Sequence, residues 1–488
     1  MMMTELPILS LVIWAPILGG VWVLIAGDRQ EETVKYLALG VSVITFILSC
    51  FLYTDFAPDT HEMQFVEFSA WIEPFSIYYH LGVDGIAVPL IVLTTFTTVL
   101  VVLAGWEVIE KRLAQYMAAF LILEGLMNGV FAALDAILFY VFWEIMIVPM
   151  FLLIGVWGGA GRIHAAIKFL LFTLAGSLIM LVGLVGLLHA SGTLDFQALN
   201  TAKLNRELQA WLFVAFTAAF AVKVPMFPVH TWLPDAHTEA PTAGSVILAG
   251  ILLKMGGYGL LRVALPILPD AVQLFLKPML ALSAVAIVYG AYVTLAQTDV
   301  KRLIAYSSIS HMGFVTLGIF TLNRTGVEGA ILQMINHGII TGALFLCIGM
   351  IYERTHTREI ADYGGLSRAA PVYSTFLALF CLAAAGFPGL NAFVGEFLII
   401  GGAFRVWVWL GAMAIFGVVL GTTYLLWLYY RVAMGEQRPE LQGQRLELNA
   451  REVLTLAPLA LFVLLIGLYP DSVLGFLRVS VAQLLSGV

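Results

Sequence analysis

Apolar residues run along this chain in blocks of about twenty, the length an α-helix needs to cross the hydrocarbon of a bilayer. Such blocks are predicted over 7–27, 35–54, 84–105, 113–133, 135–155, 164–188, 209–228, 241–262, 275–296, 300–321, 327–351, 372–400, 405–430 and 452–469, fourteen helices in all. The polar connections between them are mostly short. The pattern predicts an all-α integral membrane protein, a single polytopic domain over 1–488 with no soluble appendage. Composition points the same way, because 61% hydrophobic and 11% charged residues leave too few charges to build a soluble surface. The first block follows Glu5 rather than a basic stretch and lacks a small-residue cleavage pattern, so it reads as a retained helix and not a signal peptide.

Basic residues favour cytoplasmic loops. With the amino terminus outside, fifteen of the 24 lysines and arginines fall in inside connections, among them Lys111, Arg112, Lys301, Arg302 and Arg358. Seven fall outside, including Arg262, and Lys223 and Lys254 are left in mid-helix. Both termini are therefore expected outside.

Two of the predicted helices are interrupted. The seventh is cut at Pro225 and Pro228, and the twelfth at Gly386-Phe387-Pro388-Gly389. Proline lacks an amide hydrogen and clashes with the carbonyl one turn back, and the freed carbonyls are tolerated at membrane depth only in protein or beside water. The two breaks lie five helices apart. If the helices of 113–262 repeat as those of 275–430, the two five-helix units have opposite topology, and inverted repeats with matched broken helices point to a transport site near the midplane. Helices one to three (7–105) precede the repeats, and a last helix and tail (452–488) follow them.

Several ionisable residues lie inside these apolar blocks, where a charge costs about 2.5–3.5 kcal/mol on insertion scales. Glu144, in FWEIMIVPM, reads as a proton carrier or a partner for Lys223, the alternative being a protonated carboxyl hydrogen-bonded in the core. Lys223, just before Pro225, and Lys254, in ILLKMGGYG, read as proton-carrying lysines, although Lys223 also has a stem long enough to snorkel. A carboxylate that moves toward or away from a lysine switches the lysine's proton affinity, which is the element of a pump. His311 and His337, beside Ser307, Ser308, Ser310 and Asn336, suit a relay between lysines, or serve as interhelical hydrogen-bonders. Glu396, two turns past the break at Pro388, reads as the terminal carrier of the second half-channel, the alternative being an interface residue near the outer surface. Glu124 is a candidate for contact with a neighbouring subunit, and Lys168 for the inner mouth or a plain flanking cation. His230, Asp235, His237 and Glu239 sit in a connection that is either a turn capped by Thr242 or Asp235 or the cytoplasmic entrance.

The net charge of −7 argues against nucleic acid, and no GxGxxG or Walker motif offers a nucleotide site. Cys50, Cys347 and Cys381 lack the spacing of a disulfide, metal or iron–sulfur site, and no His/carboxylate spacing suits a metal. No cofactor is expected on this chain.

FWEIMIVPM, AVKVPMFPVHTWLPDAHTEAPTAGSVILAGILLK, TDVKRLIAYSSISHMG and GFPGLNAFVGEF together resemble the antiporter-like membrane subunits of respiratory complex I over nearly the whole chain. Within that family Glu396, where sister subunits typically carry lysine, and an ending at Val488 without a long lateral helix mark the branch. The resemblance implies fourteen helices with two inverted five-helix repeats, and a hydrophilic axis through Glu144, Lys223, Lys254, His311, His337 and Glu396. It also implies that NADH, the flavin FMN, the iron–sulfur clusters and quinone are handled by partner subunits. Sister antiporter-like subunits would lie on either side, in a bacterial inner membrane. The expected function is proton translocation from cytoplasm to periplasm, driven by NADH:quinone oxidoreduction elsewhere in the assembly. Multisubunit cation/proton antiporters and membrane hydrogenases share the architecture, and a scaffold between pump subunits is the non-transport alternative.

Overall fold

In lipid every backbone amide and carbonyl has to find a partner within the protein, and an apolar block of this length satisfies that as a helix. The computed structural model describes residues 6–443 and 445–487; Met1–Glu5, Gln444 and Val488, which fall within the predicted 1–488 domain, lie outside the described residues. Among the described residues twelve helices are long and apolar enough to cross a membrane. The predicted seventh helix, 209–228, ends early as Arg206–Lys223, a further short helix, Trp232–Glu239, lies in the predicted connection after it, and the predicted twelfth is divided into Pro371–Ala384 and Asn391–Val406.

The chain forms two compact units: Met1–Pro225 with Ile251–Pro278 and Gly475–Val488, and Met226–Gly250 with Met279–Leu474. In the first, helix Ile8–Ala26 packs on Leu113–Ala132 so closely that the missing side chain of Gly125 leaves room for the carbonyl of Ile13. Asn128 Nδ2 donates to the carbonyl of Val12 across the same seam at 3.1 Å. Helix Arg206–Lys223 is held on two sides by glycines. A Cβ at Gly176 would meet Ala219 Cα at 3.1 Å, and one at Gly256 would meet the carbonyl oxygen of Phe220 at 2.7 Å. In the second unit, Val300–Phe320 and Arg324–Thr355 are buried along almost their whole length, while Val408–Ala433 turns much apolar surface outward.

Three features depart from the sequence reading. The predicted fifth helix is two helices, Ala136–Ile145 and Ile147–Trp157, joined at Met146, because Pro149 returns no hydrogen bond to Ile145. The predicted eighth helix contains two π segments, Leu248–Leu252 and Leu260–Ala264. The stretch between the second and third helices, read only as a connection, holds strands Gln64–Ile72 and Ile77–Val83, paired antiparallel with Phe68 opposite His80. This hairpin is anchored by side chains. The Glu67 carboxylate accepts from the amides of Leu9 at 2.8 Å and Ser10 at 3.1 Å, supplying partners for orphan donors at the start of helix Ile8–Ala26. His80 Nδ1 lies 2.5 Å from Asp195 Oδ2. Burial pushes the Asp195 carboxyl up, but His80 and the amides of Ala198 and Gln197 outweigh it and hold the group below the usual carboxylate range.

The glycine seam and the hairpin anchor each carry a test. Gly256→Ala should push the end of Arg206–Lys223 away and destabilise the assembled protein by on the order of 1–3 kcal/mol, read as a lower unfolding midpoint. Because the folded Asp195 carboxyl titrates below its unfolded value of about 3.9, its stabilisation is present above that pH and is lost as pH falls through the folded value. Asp195→Asn should therefore speed hydrogen exchange of the 77–83 strand at pH 7 relative to the unaltered protein, with the difference vanishing in acid.

Candidate functional site

Each interruption of a helix brings an ionisable side chain with it. Glu144 is in the last turn before the Met146 junction and is half-buried. Lys223 is the last residue of Arg206–Lys223, 1% exposed, where the negative end of the helix dipole and the carbonyls freed by Pro225 and Pro228 favour a cation. Its Nζ stands 5.3 Å from the ring centroid of Trp143 and 5.9 Å from that of Phe169, within reach of cation–π attraction. The Glu144 carboxylate acts electrostatically on Lys223 without touching it, since neither Lys223 Nζ nor Glu144 Oε2 has a hydrogen-bond partner among the described residues. Lys254 is 0% exposed, in the α-helical turn Leu253–Gly259 between the two π segments. A π segment shifts the facing of all that follows it, and such segments are frequent at functional sites.

Glu124 is also 0% exposed, in Leu113–Ala132, and neither carboxylate oxygen makes a hydrogen bond among the described residues. Its burial inside this chain, on the helix that packs against Ile8–Ala26, removes the expectation of contact with a neighbouring subunit. Lys168 lies half-buried in Arg162–Ser191.

The second unit gathers a hydrogen-bonded cluster. Glu396 is 4% exposed, and its Oε1 accepts from Gln333 Nε2 at 3.3 Å and faces His311 Nδ1 at 3.5 Å. His311 Nε2 meets the hydroxyl of buried Tyr424 at 3.3 Å, and the rings of His311 and His337 are 5.9 Å apart. Asn336 Nδ2 donates to the carbonyl of Asn391 at 2.8 Å. Ser310 and Ser307 bond to the carbonyls of Ile287 and Ile304, and Ser307 also reaches Tyr424. Glu396, read alternatively as an interface residue near the outer surface, is enclosed within its own chain. Helical side chains lean toward the amino terminus, so Glu396 reaches back over the break, where the position of a Cβ on Gly386 lies 2.6 Å from its Oε2.

That break is made by Gly386 rather than by Pro388. Gly386 has φ +70°, its amide bonds to Ala383, and the amide of Phe387 bonds to Leu382, the paired arrangement that ends a helix at a left-handed glycine. Pro388 lies beyond this cap. In the connection after the predicted seventh helix, Asp235, His237 and Glu239 lie in the helix Trp232–Glu239 and His230 in the turn before it, and neither that helix nor the one starting at Thr242 has a side-chain cap. His230 and His237 are buried; His230 stacks on Phe227, and His237 on Phe345 at 4.8 Å. Asp235 pairs with Arg302 at 3.5 Å. Lys301 and Arg358, read from sequence as orientation signals, donate to the carbonyls of Ala240 and Thr238 at the end of this helix. Arg262, also counted as a loop cation, is inside the second π segment and pairs with Asp84 at 2.8 Å.

A family model described as NADH:quinone oxidoreductase/Mrp antiporter, TM, matches residues 133–421. NADH-quinone oxidoreductase subunit M of Rhodobacter capsulatus is 48% identical over 99% of this chain and 95% of its own length. The chain belongs to the subunit M/chain 4 family of NADH:quinone oxidoreductase. NADH-ubiquinone oxidoreductase chain 4 of Arabidopsis thaliana is 45% identical over 98% of this chain and 96% of its own. A chain in the structure titled respiratory complex I from Thermus thermophilus with bound NADH superposes with a TM-score of 0.89 at 32% identity, covering 98% of this chain and 99% of that one.

Two members of the Glu396 cluster of this subunit M/chain 4 family member were missed from sequence. Gln333 was legible in principle, being polar in an apolar run and four residues from His337, hence on the same helix face. Tyr424 carries no such signal, because it comes to His311 from a helix more than a hundred residues away. The cluster's geometry separates two substitutions. Pro388→Ala should leave the break in place, because Gly386 still ends the helix. Gly386→Ala should lose proton pumping together with the placement of Glu396, because alanine meets both the left-handed backbone and the carboxylate. A structure of each variant, with pumping measured on the same preparation, checks both.

Proposed function

We propose that this chain is a proton-translocating membrane subunit of respiratory complex I, coupling NADH:quinone electron transfer in partner subunits to proton movement from cytoplasm to periplasm. The observation that supports it most is the set of ionisable side chains at helix interruptions: Lys223, Lys254 and Glu396, all buried, and Glu144, half-buried. A charge held at such depth is expensive, and ionisable residues there mark ion pathways by default. Similarity to subunit M of NADH-quinone oxidoreductase over almost the full chain names the assembly.

Glu144 and Lys223 act as the switching pair of the first unit. They interact electrostatically without contact, so a small approach or retreat of the carboxylate changes the lysine's hold on its proton. Moving one charge against 100 mV costs about 2.3 kcal/mol, which a local change of roughly two pKa units, at about 1.36 kcal/mol each, would match. Lys254 is the deeper proton-carrying group of the first unit, and His311, His337 and Glu396 serve as relay and terminal carrier of the second. The helices form fourteen crossings with two inverted five-helix repeats, both termini periplasmic, in a bacterial inner membrane between sister antiporter-like subunits. NADH, FMN, iron–sulfur clusters and quinone belong to partner subunits, and this chain carries no redox centre.

In the assembled complex, Glu144→Ala should abolish proton pumping and strongly reduce NADH:quinone activity, while Glu144→Asp keeps part of both. Normal stoichiometry in the alanine variant would sink the carrier role. Lys254→Ala should stop transfer, and Lys254→Arg should fail in part, since arginine holds its proton at any physiological pH. A fully active arginine variant would mean that a fixed charge suffices at 254 and no proton passes through this nitrogen.

A further inference from the structure

Lys254 is joined to the end of its own helix by a row of polar side chains. Lys254, Tyr258 and Arg262 follow one another at intervals of four, the spacing of one helix face. Tyr258 is 1% exposed and donates its hydroxyl proton to the carbonyl of Phe131 at 2.7 Å, one of the carbonyls left over near the end of Leu113–Ala132. Arg262 Nε donates to the same hydroxyl oxygen at 3.2 Å. Its Nη2 pairs with Asp84 Oδ1 at 2.8 Å, which closes this end of the row. Asp84 Oδ1 is shared with the amides of Ile86 and Ala87 ahead of helix Ala87–Ala104. Beside the pair is a cavity of ≈ 650 Å³, lined by Asp84, Tyr258 and Arg262 with polar side chains that include Gln197, Thr201 and Gln483 and apolar ones that include Leu261 and Leu484. All of these residues belong to the first unit. The cavity is at the end of the unit that carries the hairpin, the face that the basic-residue asymmetry assigns to the outside.

We propose that this cavity is a water-filled outer vestibule for protons and that the Arg262–Asp84 pair, steadied by Tyr258, is the gate between it and Lys254. The proposal rests on the reading of Lys254 as a proton-carrying group. While the pair is closed, the guanidinium stands between Lys254 and the vestibule and repels an incoming proton. When it parts, an N–H bond of the Lys254 ammonium breaks and the proton passes through water, over roughly 12 Å for eight residues of helix. It forms an O–H bond on Asp84. Asp84 then gives the proton to vestibule water and, an anion again, recaptures Arg262. Lys254 is left neutral, and Arg262 keeps its own proton throughout, as guanidinium does at physiological pH.

The test uses the complex reconstituted in vesicles, with pumping per NADH, passive proton leak after NADH is exhausted, and assembly measured for each variant. Asp84→Asn keeps the helix-start acceptor while removing the proton-accepting charge, and should lose most pumping. Arg262→Gln should raise the passive leak several-fold, and Arg262→Lys, which keeps a positive charge, should restore a tight membrane. A cysteine at the wall, Gln483→Cys, should react with a membrane-impermeant thiol reagent added from the outer side, and protection there would overturn the vestibule whatever the other variants do. If Lys254→Ala stops pumping while Asp84→Asn pumps normally and Arg262→Gln holds its gradient, the gate is wrong and the role of Lys254 survives. If Lys254→Ala pumps normally, the role and the gate fall together.

Discussion

Backbone left without partners at membrane depth is the constraint on which the rest of this structure depends. Lipid supplies no hydrogen bonds, so an interrupted helix survives only where protein packs over the gap or polar groups line it. Among the described residues the helices are interrupted at Met146, between Lys223 and Trp232, at two π segments in Thr242–Ile267, and between Ala384 and Asn391. Glycines meet the first requirement. Gly176 and Gly256 let neighbouring helices close on the end of Arg206–Lys223, and Gly386 lets a carboxylate come down on the last gap. Lys301 and Arg358 meet the second, donating to the carbonyls of Ala240 and Thr238 at the end of Trp232–Glu239.

The two units treat their buried charges differently. In the first, Lys223 lies between aromatic rings and feels Glu144 only at a distance, so its interactions are non-directional and respond to small displacements. In the second, Glu396 is engaged by Gln333, His311 and the glycine break, and His311 is engaged by Tyr424. Such a network is strengthened by its low-dielectric surroundings and holds one geometry. One arrangement suits a group whose proton affinity has to change, and the other suits a group that has to be found in place.

Several cations that look like topology signals do structural work instead. Lys301 and Arg358 satisfy carbonyls at the end of Trp232–Glu239, Arg354 pairs with Glu452 across a long sequence separation, and Arg262 pairs with Asp84. A basic residue next to a helix end can favour either a cytoplasmic headgroup region or the negative end of a neighbouring helix, and composition alone does not distinguish them.

Sequence by itself determined the membrane class, most of the spans, and the residues whose burial is costly. Twenty-residue periodicity and the price of a charge in lipid are local properties, so Glu144, Lys223, Lys254, His311, His337 and Glu396 were all legible as single positions. The proline break after Lys223 was legible for the same reason. Tertiary structure decided who faces whom. Gln333 and Tyr424 join Glu396 and His311 from distant helices, Gly386 rather than Pro388 ends its helix through a left-handed cap, and Glu124 turns out to be enclosed by its own chain. The hairpin at 64–83 was invisible to a search for long apolar blocks because its strands are short and draw their anchorage from Glu67 and His80, whose partners lie more than fifty residues away. Those pairings depend on how helices pack, and a one-dimensional pattern records only which faces are apolar.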